Sequence, residues 1–250
     1  MSTMNAVETL TRRLLIDGGI TTGMRVLDVG CGYGDVTRMV AELVGDAGQV
    51  IGVDHDERAL ETARMRAAEQ GFSNVAFAPG DMVPSMPIDG LFDAVVGRRV
   101  LMYQGNPIDA IDRLLQVLRP GGRIVFQEHD STLGPNSSLP LHQQVHGWIW
   151  ETVAKEGGNI NLGFNLHSVL TQGGAKVEQV RAEAIVQTPT QSHPIAFIVR
   201  AMMPRLIEHG VATDAEIEIE TLELRLNEER QKANATFIWD MAFGVWGSKP

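Results

Sequence analysis

The feature that most constrains this chain is a repeat of apolar runs of strand length, each separated from the next by a segment with helical signals. MRVLDVG (24–30), QVIGVD (49–54), NVAFAPG (74–80), LFDAVVG (91–97) and GRIVFQE (122–128) make up the series. Near-continuous apolar strands belong to sheets covered on both faces, and strands alternating with helices join as right-handed crossovers. The helical segments carry their own punctuation. Asp56 stands as an N-cap before ERALETARMRAAEQ, and Gly71 stops that run. IDAIDRLLQVL is expected to end at Pro120-Gly121-Gly122. The pattern predicts a doubly wound α/β core of parallel strands up to residue 130.

In such sheets ligands bind beyond the carboxyl ends of the strands, where strand order reverses. Polar residues gather at those ends: Asp28 to Gly34, then Asp54-His55, Gly80-Asp81-Met82, Gly97-Arg98-Arg99 and Glu128-His129-Asp130. The first group is the loop DVGCGYG, with Gly30, Gly32 and Gly34 at alternate positions and Cys31 between the first two. Its glycines suit a backbone that must approach a ligand closely. The Lys-Ser/Thr of a triphosphate cradle is missing. Asp28 and Asp35, flanking the loop, would repel a pyrophosphate and suit a ligand with an ammonium or sulfonium group. Asp54 stands about 20 residues after the loop, where a carboxylate accepts ribose hydroxyls. Asp81 is placed to accept from an exocyclic amine; its alternative is a turn aspartate. Together these carboxylates describe S-adenosylmethionine.

VLDVGCGYG, VIGVDHDERAL, FAPGDM, FDAVVGRRVLMY and LLQVLRPGGRIVFQEHD, in that order, resemble the class I S-adenosylmethionine-dependent methyltransferases. The resemblance covers residues 20 to 130. It implies a seven-stranded Rossmann-like sheet with the last strand antiparallel, elaborated by helical lid insertions. It also implies that Asp28, Gly30, Cys31 and Gly32 line the methionine end and that Asp54 holds the ribose. His55, Gly80 and Met82 would flank the adenine, Asp81 would take its amino group, and Gly97 and Arg98 would border the methionine moiety. The product would be S-adenosylhomocysteine. The expected organisation is an N-terminal lid helix (1–20), a cofactor-binding core (21–130) and a C-terminal half (131–250). In that half AKVEQVRAEAIVQ and TFIWDMAFGVWGSKP are strands, and insertions near 131–174 and 191–232 form the acceptor pocket. EIEIE alternates like a strand, but Thr213 and Glu216 spell a capping box, so a helix is expected there.

Methyl transfer from a sulfonium relies mainly on alignment, although a phenol, an amine held as ammonium or a carbon nucleophile calls for a base. Candidates for it are His129 and Tyr103, and for acceptor contacts also His142, His146 and Trp148. Four residues apart, His142 and His146 share a helix face. A zinc pair lacks a third ligand, so one pocket-lining and one surface histidine are expected, and no metal. Trp148 and Trp150 are not expected to face inward together. Phe197, Met202 and Met203 point to a largely apolar acceptor, or equally to core.

Composition narrows partners. The net charge is −10 over 250 residues with basic residues scattered, which argues against a nucleic-acid substrate, since phosphate neutralisation supplies most of that affinity. No apolar run reaches the ~20 residues of a membrane helix. One cysteine, Cys31, and no secretory pattern at the N-terminus point to a reducing cytoplasm. The motif set leaves, as the leading reading, a methyltransferase acting on oxygen, nitrogen or carbon of a small organic molecule. A non-methylating reaction on the same cofactor and a nucleic-acid methyltransferase are the alternatives, and a homodimer stays open.

Overall fold

The computed structural model describes residues 6–84, 90–132 and 139–250. Residues 1–5 of the expected N-terminal helix and 133–138 of the expected first insertion lie outside the described residues. The chain divides into two compact units. One comprises Glu8–Glu128, Phe164–Arg181 and Phe243–Pro250; the other is built mainly from His129–Gly163 and Ala182–Ala242.

The five apolar runs become β1 (Arg25–Val29), β2 (Gln49–Asp54), β3 (Val75–Asp81), β5 (Phe92–Arg98) and β6 (Leu118–Asp130). A two-residue β4 (Val83–Pro84) lies antiparallel on the end of β3, and β7 (Lys176–Gln187) and β8 (Phe237–Ser248) complete the set. The sheet order is β4-β3-β2-β1-β5-β6-β8-β7. Apart from β4, it is the expected seven-stranded sheet with its last strand antiparallel. β1 pairs in parallel with β2 on one side and β5 on the other, so strand order reverses beside β1 and the glycine loop leaves the sheet at that switch point. β8 lies between β6 and β7, which explains a strand rich in Phe and Trp.

α1 (Ala6–Asp17), α2 (Asp35–Val44), α3 (Glu57–Glu69) and α4 (Pro107–Val117) surround the first strands in the chain order, and α6 (Leu162–Gln172) belongs to the same unit. Val36, Met39, Val40 and Val44 of α2 form one core with Leu14 and Leu15 of α1, Val26 of β1, Val50 of β2, Val96 of β5 and Val125 of β6. Burying such side chains contributes about 1.5–3 kcal/mol each before entropy is counted. Asp56 caps α3 as expected, its carboxylate accepting the Arg58 N–H. Pro120-Gly121-Gly122 differs from expectation. α4 already ends at Val117, and the three residues form a bulge in β6, where the register jumps from Phe92↔Leu118 to Ala94↔Arg123. Backbone bonds of Gly121 and Gly122 with Lys249 hold the bulge, which a helix stop would not need.

The second unit holds α5 (Pro140–Lys155), α7 (Ile195–Glu208), α8 (Asp214–Ile217) and α9 (Ile219–Ala233). EIEIE is helical. The Thr213–Glu216 capping box forms with both bonds in place, and α8 gives way to α9 at Glu218, whose φ of 45° breaks the helix. α5 packs against both α7 and α9 and is therefore buried on more than one face. That overturns two expectations. Trp148 and Trp150 are both buried, and neither His142 nor His146 is at the surface. A helix with neighbours on two sides has no polar stripe wide enough to keep either residue in water. Among the described residues no helix is long and apolar enough to cross a membrane.

Candidate active site

Within the first unit, a cavity of about 200 Å³ opens at the carboxyl ends of β1, β2, β3 and β5. Gly30, Asp54, His55, Gly80, Asp81, Met82, Arg99, Val100, Tyr103 and Gln104 line it. Six of the expected cofactor residues (Gly30, Asp54, His55, Gly80, Asp81 and Met82) are thereby brought together with Tyr103.

The loop is built from left-handed backbone. Gly30 has φ 62° and Gly32 φ 51°, conformations that cost an L side chain energy. A Cβ at Gly30 would collide with Val100, whereas one at Gly32 would meet nothing within 4 Å. Gly30 therefore lets a neighbouring turn close on the loop, and Gly32 leaves open space above its backbone. Asp54 ties the loop to β2: its Oδ2 accepts the Gly32 N–H at 2.8 Å and its Oδ1 accepts the Asp56 N–H at 3.0 Å. Each carboxylate oxygen keeps a lone pair for a hydroxyl donor. His55 projects into solvent, with Nδ1 3.5 Å from Asp54 Oδ1. Met82 is buried at φ 64°, a strained turn that follows Asp81, which stays exposed at the rim.

Asp28, Cys31, Gly32, Gly97 and Arg98 fall outside the lining set. Asp28 is buried in β1, where its Oδ2 accepts the Thr37 hydroxyl at 2.6 Å and its Oδ1 has no hydrogen-bond partner among the described residues. Burial pushes its carboxyl up to about 7, against the pull of Thr37 and of Arg98. Burial and the nearby Asp28 and Asp54 charges push the Cys31 thiol up, so it stays protonated and inert. Gly97 is small because Val100 and Phe126 occupy the space of its missing side chain. Arg98 is half-buried and donates to the Thr11 hydroxyl at 3.3 Å.

The lining also includes Val100 and Gln104, which sequence reasoning missed; the only signal was their place directly after the β5 run. They flank the one-turn 3-10 segment Leu101–Tyr103, which carries Tyr103 to the cavity. Glu128, at the end of β6, is fully buried and binds this turn: its Oε1 accepts the backbone N–H groups of Val100 and Leu101 at 3.0 and 2.8 Å.

His129, His142, His146 and Trp148 belong to the second unit. Asp240 of β8 is the centre of a buried cluster there. Its Oδ1 accepts from Trp150 Nε1 at 2.9 Å and lies 2.8 Å from His146 Nε2, and its Oδ2 is 3.5 Å from His129 Nδ1. Burial raises the Asp240 carboxyl, but its bonds to His129 and His146 outweigh this and hold it below the ordinary range. His142 goes elsewhere, to Glu229 at 2.7 Å, whose carboxylate also accepts the Leu141 and His142 N–H groups at the start of α5. Burial lowers the His142 imidazole despite that partner. The two histidines thus share a helix but not a ligand. Asp240 was missed because a single aspartate in an aromatic strand carries no sequence signal.

With loop, carboxylates and switch point in place, the comparisons agree. A family model described as a methyltransferase domain matches residues 20–184, and the chain belongs to the class I S-adenosylmethionine-dependent methyltransferases. It is 34% identical over 207 residues to the ubiquinone/menaquinone biosynthesis C-methyltransferase UbiE of Pseudomonas aeruginosa, covering 82% of this chain and 75% of that protein. It is also 34% identical over 136 residues to the demethylmenaquinone methyltransferase of Lactococcus lactis, 54% of this chain and 52% of that one. In fold it matches the YcgJ protein of Bacillus subtilis with a TM-score of 0.62 at 17% identity, over 97% of this chain and 99% of that chain.

Proposed function

We propose that this methyltransferase moves the methyl group of S-adenosylmethionine to a ring carbon of a small, largely apolar acceptor of the hydroquinone type. The observation that carries the cofactor half is the convergence of Asp54 and Asp81 with the glycine loop on one cavity. The residues fit the group. Asp54 and Asp81 supply acceptors for hydroxyl and amine donors, Gly32 leaves room at the backbone, and Asp28 offers a buried carboxylate oxygen with no partner among the described residues. When bound, S-adenosylmethionine supplies a methyl carbon activated by its sulfonium. Asp28 then has a cationic ligand to favour its ionised form. The acceptor half rests on the relatives, which are named for quinone methylation, and on the apolar lining contributed by Met82 and Val100.

A ring carbon becomes nucleophilic when its neighbouring hydroxyl is deprotonated, which calls for a base. For that role we propose His129, with its imidazole oriented by Asp240; Tyr103 lines the cofactor cavity and is the second candidate. The helices of the second unit, with His142, His146 and Trp148, are proposed to recognise the acceptor. The buried thiol suits a reducing cytoplasm.

Calorimetry with S-adenosylmethionine on wild type and Asp54→Ala tests the cofactor. Release of S-adenosylhomocysteine is then followed across hydroquinones, catechols and amines. Turnover confined to amines would overturn the acceptor proposal. Tight cofactor binding with no release on any acceptor would favour a rearrangement chemistry instead.

A further inference from the structure

We propose that Glu128 is a positioning residue for cofactor binding, a carboxylate latch that holds the Val100–Tyr103 turn against the glycine loop. The inference rests on the S-adenosylmethionine reading of the cavity and goes beyond the motif residues.

Val100 occupies the point where two glycines meet. A side chain on Gly30 would strike it, and one on Gly97 would come within 2.9 Å of its Cγ1. Both glycines are thus fixed in part by where Val100 sits. Three bonds from β6 determine that position. The Gln127 carbonyl accepts the Arg99 N–H at 2.8 Å, and Glu128 Oε1 accepts the N–H groups of Val100 and Leu101. Arg99 itself has φ 55°, so the chain turns sharply out of β5 just before the latch. Without a partner for the next two N–H groups this turn would carry buried unsatisfied donors. Arg99, Val100, Tyr103 and Gln104 are four of the ten residues lining the cavity, so one side chain that does not line it controls much of one wall.

The latch is also placed to sense pH. Glu128 Oε2 is buried with no hydrogen-bond partner among the described residues, and burial pushes the carboxyl up to about 7. The turn N–H groups and the charge of Arg99 pull the other way. The ionised form is the stronger acceptor for the two N–H groups. As pH falls through about 7 the latch weakens and cofactor affinity drops with it. Asp28 also titrates near 7, so the two must be separated by mutation.

The test is calorimetric binding of S-adenosylmethionine to the full chain between pH 6 and 8.5, with circular dichroism to verify folding. Glu128→Ala is expected to weaken binding at least tenfold at pH 8.5. Glu128→Gln, which keeps the acceptor oxygen, is expected to bind within about threefold of wild type there and to have a flatter pH profile. Asp28→Asn is expected to retain the Glu128 share of that profile. Val100→Ala keeps the N–H that Glu128 accepts but removes the side chain that the latch sets against Gly30, and weaker binding by that variant is expected even if Glu128→Ala fails to fold. Wild-type affinity in both Glu128→Ala and Val100→Ala, or an unchanged pH profile in Glu128→Gln, overturns the latch. If the wild type itself binds no S-adenosylmethionine, the cofactor reading falls and the latch with it.

Discussion

The two polar centres of this protein are assembled in opposite ways. In the first unit, the cavity carboxylates bind partners at shorter range: Asp54 reaches the backbone N–H groups of Gly32 and Asp56, and Asp28 accepts the Thr37 hydroxyl nine residues away. In the second unit, side chains bind side chains across the fold. Asp240 meets His146 over 94 residues, and Glu229 meets His142 over 87. The first arrangement leaves lone pairs and open space for a ligand. The second is mostly closed on itself, and its groups have more to lose when a partner is removed.

Breaking the second centre is therefore expected to have the largest effect on stability. Asp240→Ala leaves two histidines and the Trp150 N–H without their acceptor in a buried site, and should cost about 3–5 kcal/mol. Urea denaturation would measure this, and a loss below 1 kcal/mol would mean the cluster contributes little. Asp54→Ala should do the reverse: a loss of S-adenosylmethionine affinity of about 100-fold, roughly 2.7 kcal/mol, with far less change in unfolding midpoint.

Asp28 sharpens the contrast, because stability and function pull apart there. Its carboxyl titrates at about 7 when folded against 3.8 ordinarily, so the folded state binds more protons between those values. Stability from this group is full below its unfolded value, falls as pH rises toward 7, and stays low above it. Asp28→Asn removes that dependence. It should be more stable than wild type at pH 8 by ~2 kcal/mol, with the full difference bounded by about 1.4 kcal/mol per pH unit. The gain should vanish near pH 4, and cofactor binding should weaken. Equal stability of the two proteins at pH 8 would refute the buried-carboxylate cost. The smallest effect is expected at Thr213→Ala, which removes one half of an exposed capping box and should cost about 1 kcal/mol in thermal unfolding.

The same contrast explains what could be read in advance. β1, β2, β3, β5 and β6 were legible because each strand is a local apolar run, and the glycine loop, Asp54 and Asp81 because the switch point collects strand ends in sequence order. The capping box at Thr213 was legible for the same reason, since both partners lie within one turn. Trp148, Trp150, His142 and His146 were misjudged because α5 is covered by α7, α9 and residues of β8, which lie 40 or more residues further along the chain. A helical wheel gives a face, not the number of neighbours that cover it.

The sequence by itself determined the parallel core, the cofactor class and the gathering of Asp54 and Asp81 at one cavity, because period, punctuation and loop chemistry are short-range properties of the chain. Only the tertiary structure decided that Asp240 gathers two histidines and a tryptophan, and that Glu128 holds the turn bearing Val100. Those bonds join residues 27 to 111 positions apart, from Leu101–Glu128 to His129–Asp240. No local pattern encodes them; they exist only once sheet order has brought β6 beside β5 and β8 beside β6, and α5 has come against Asp240.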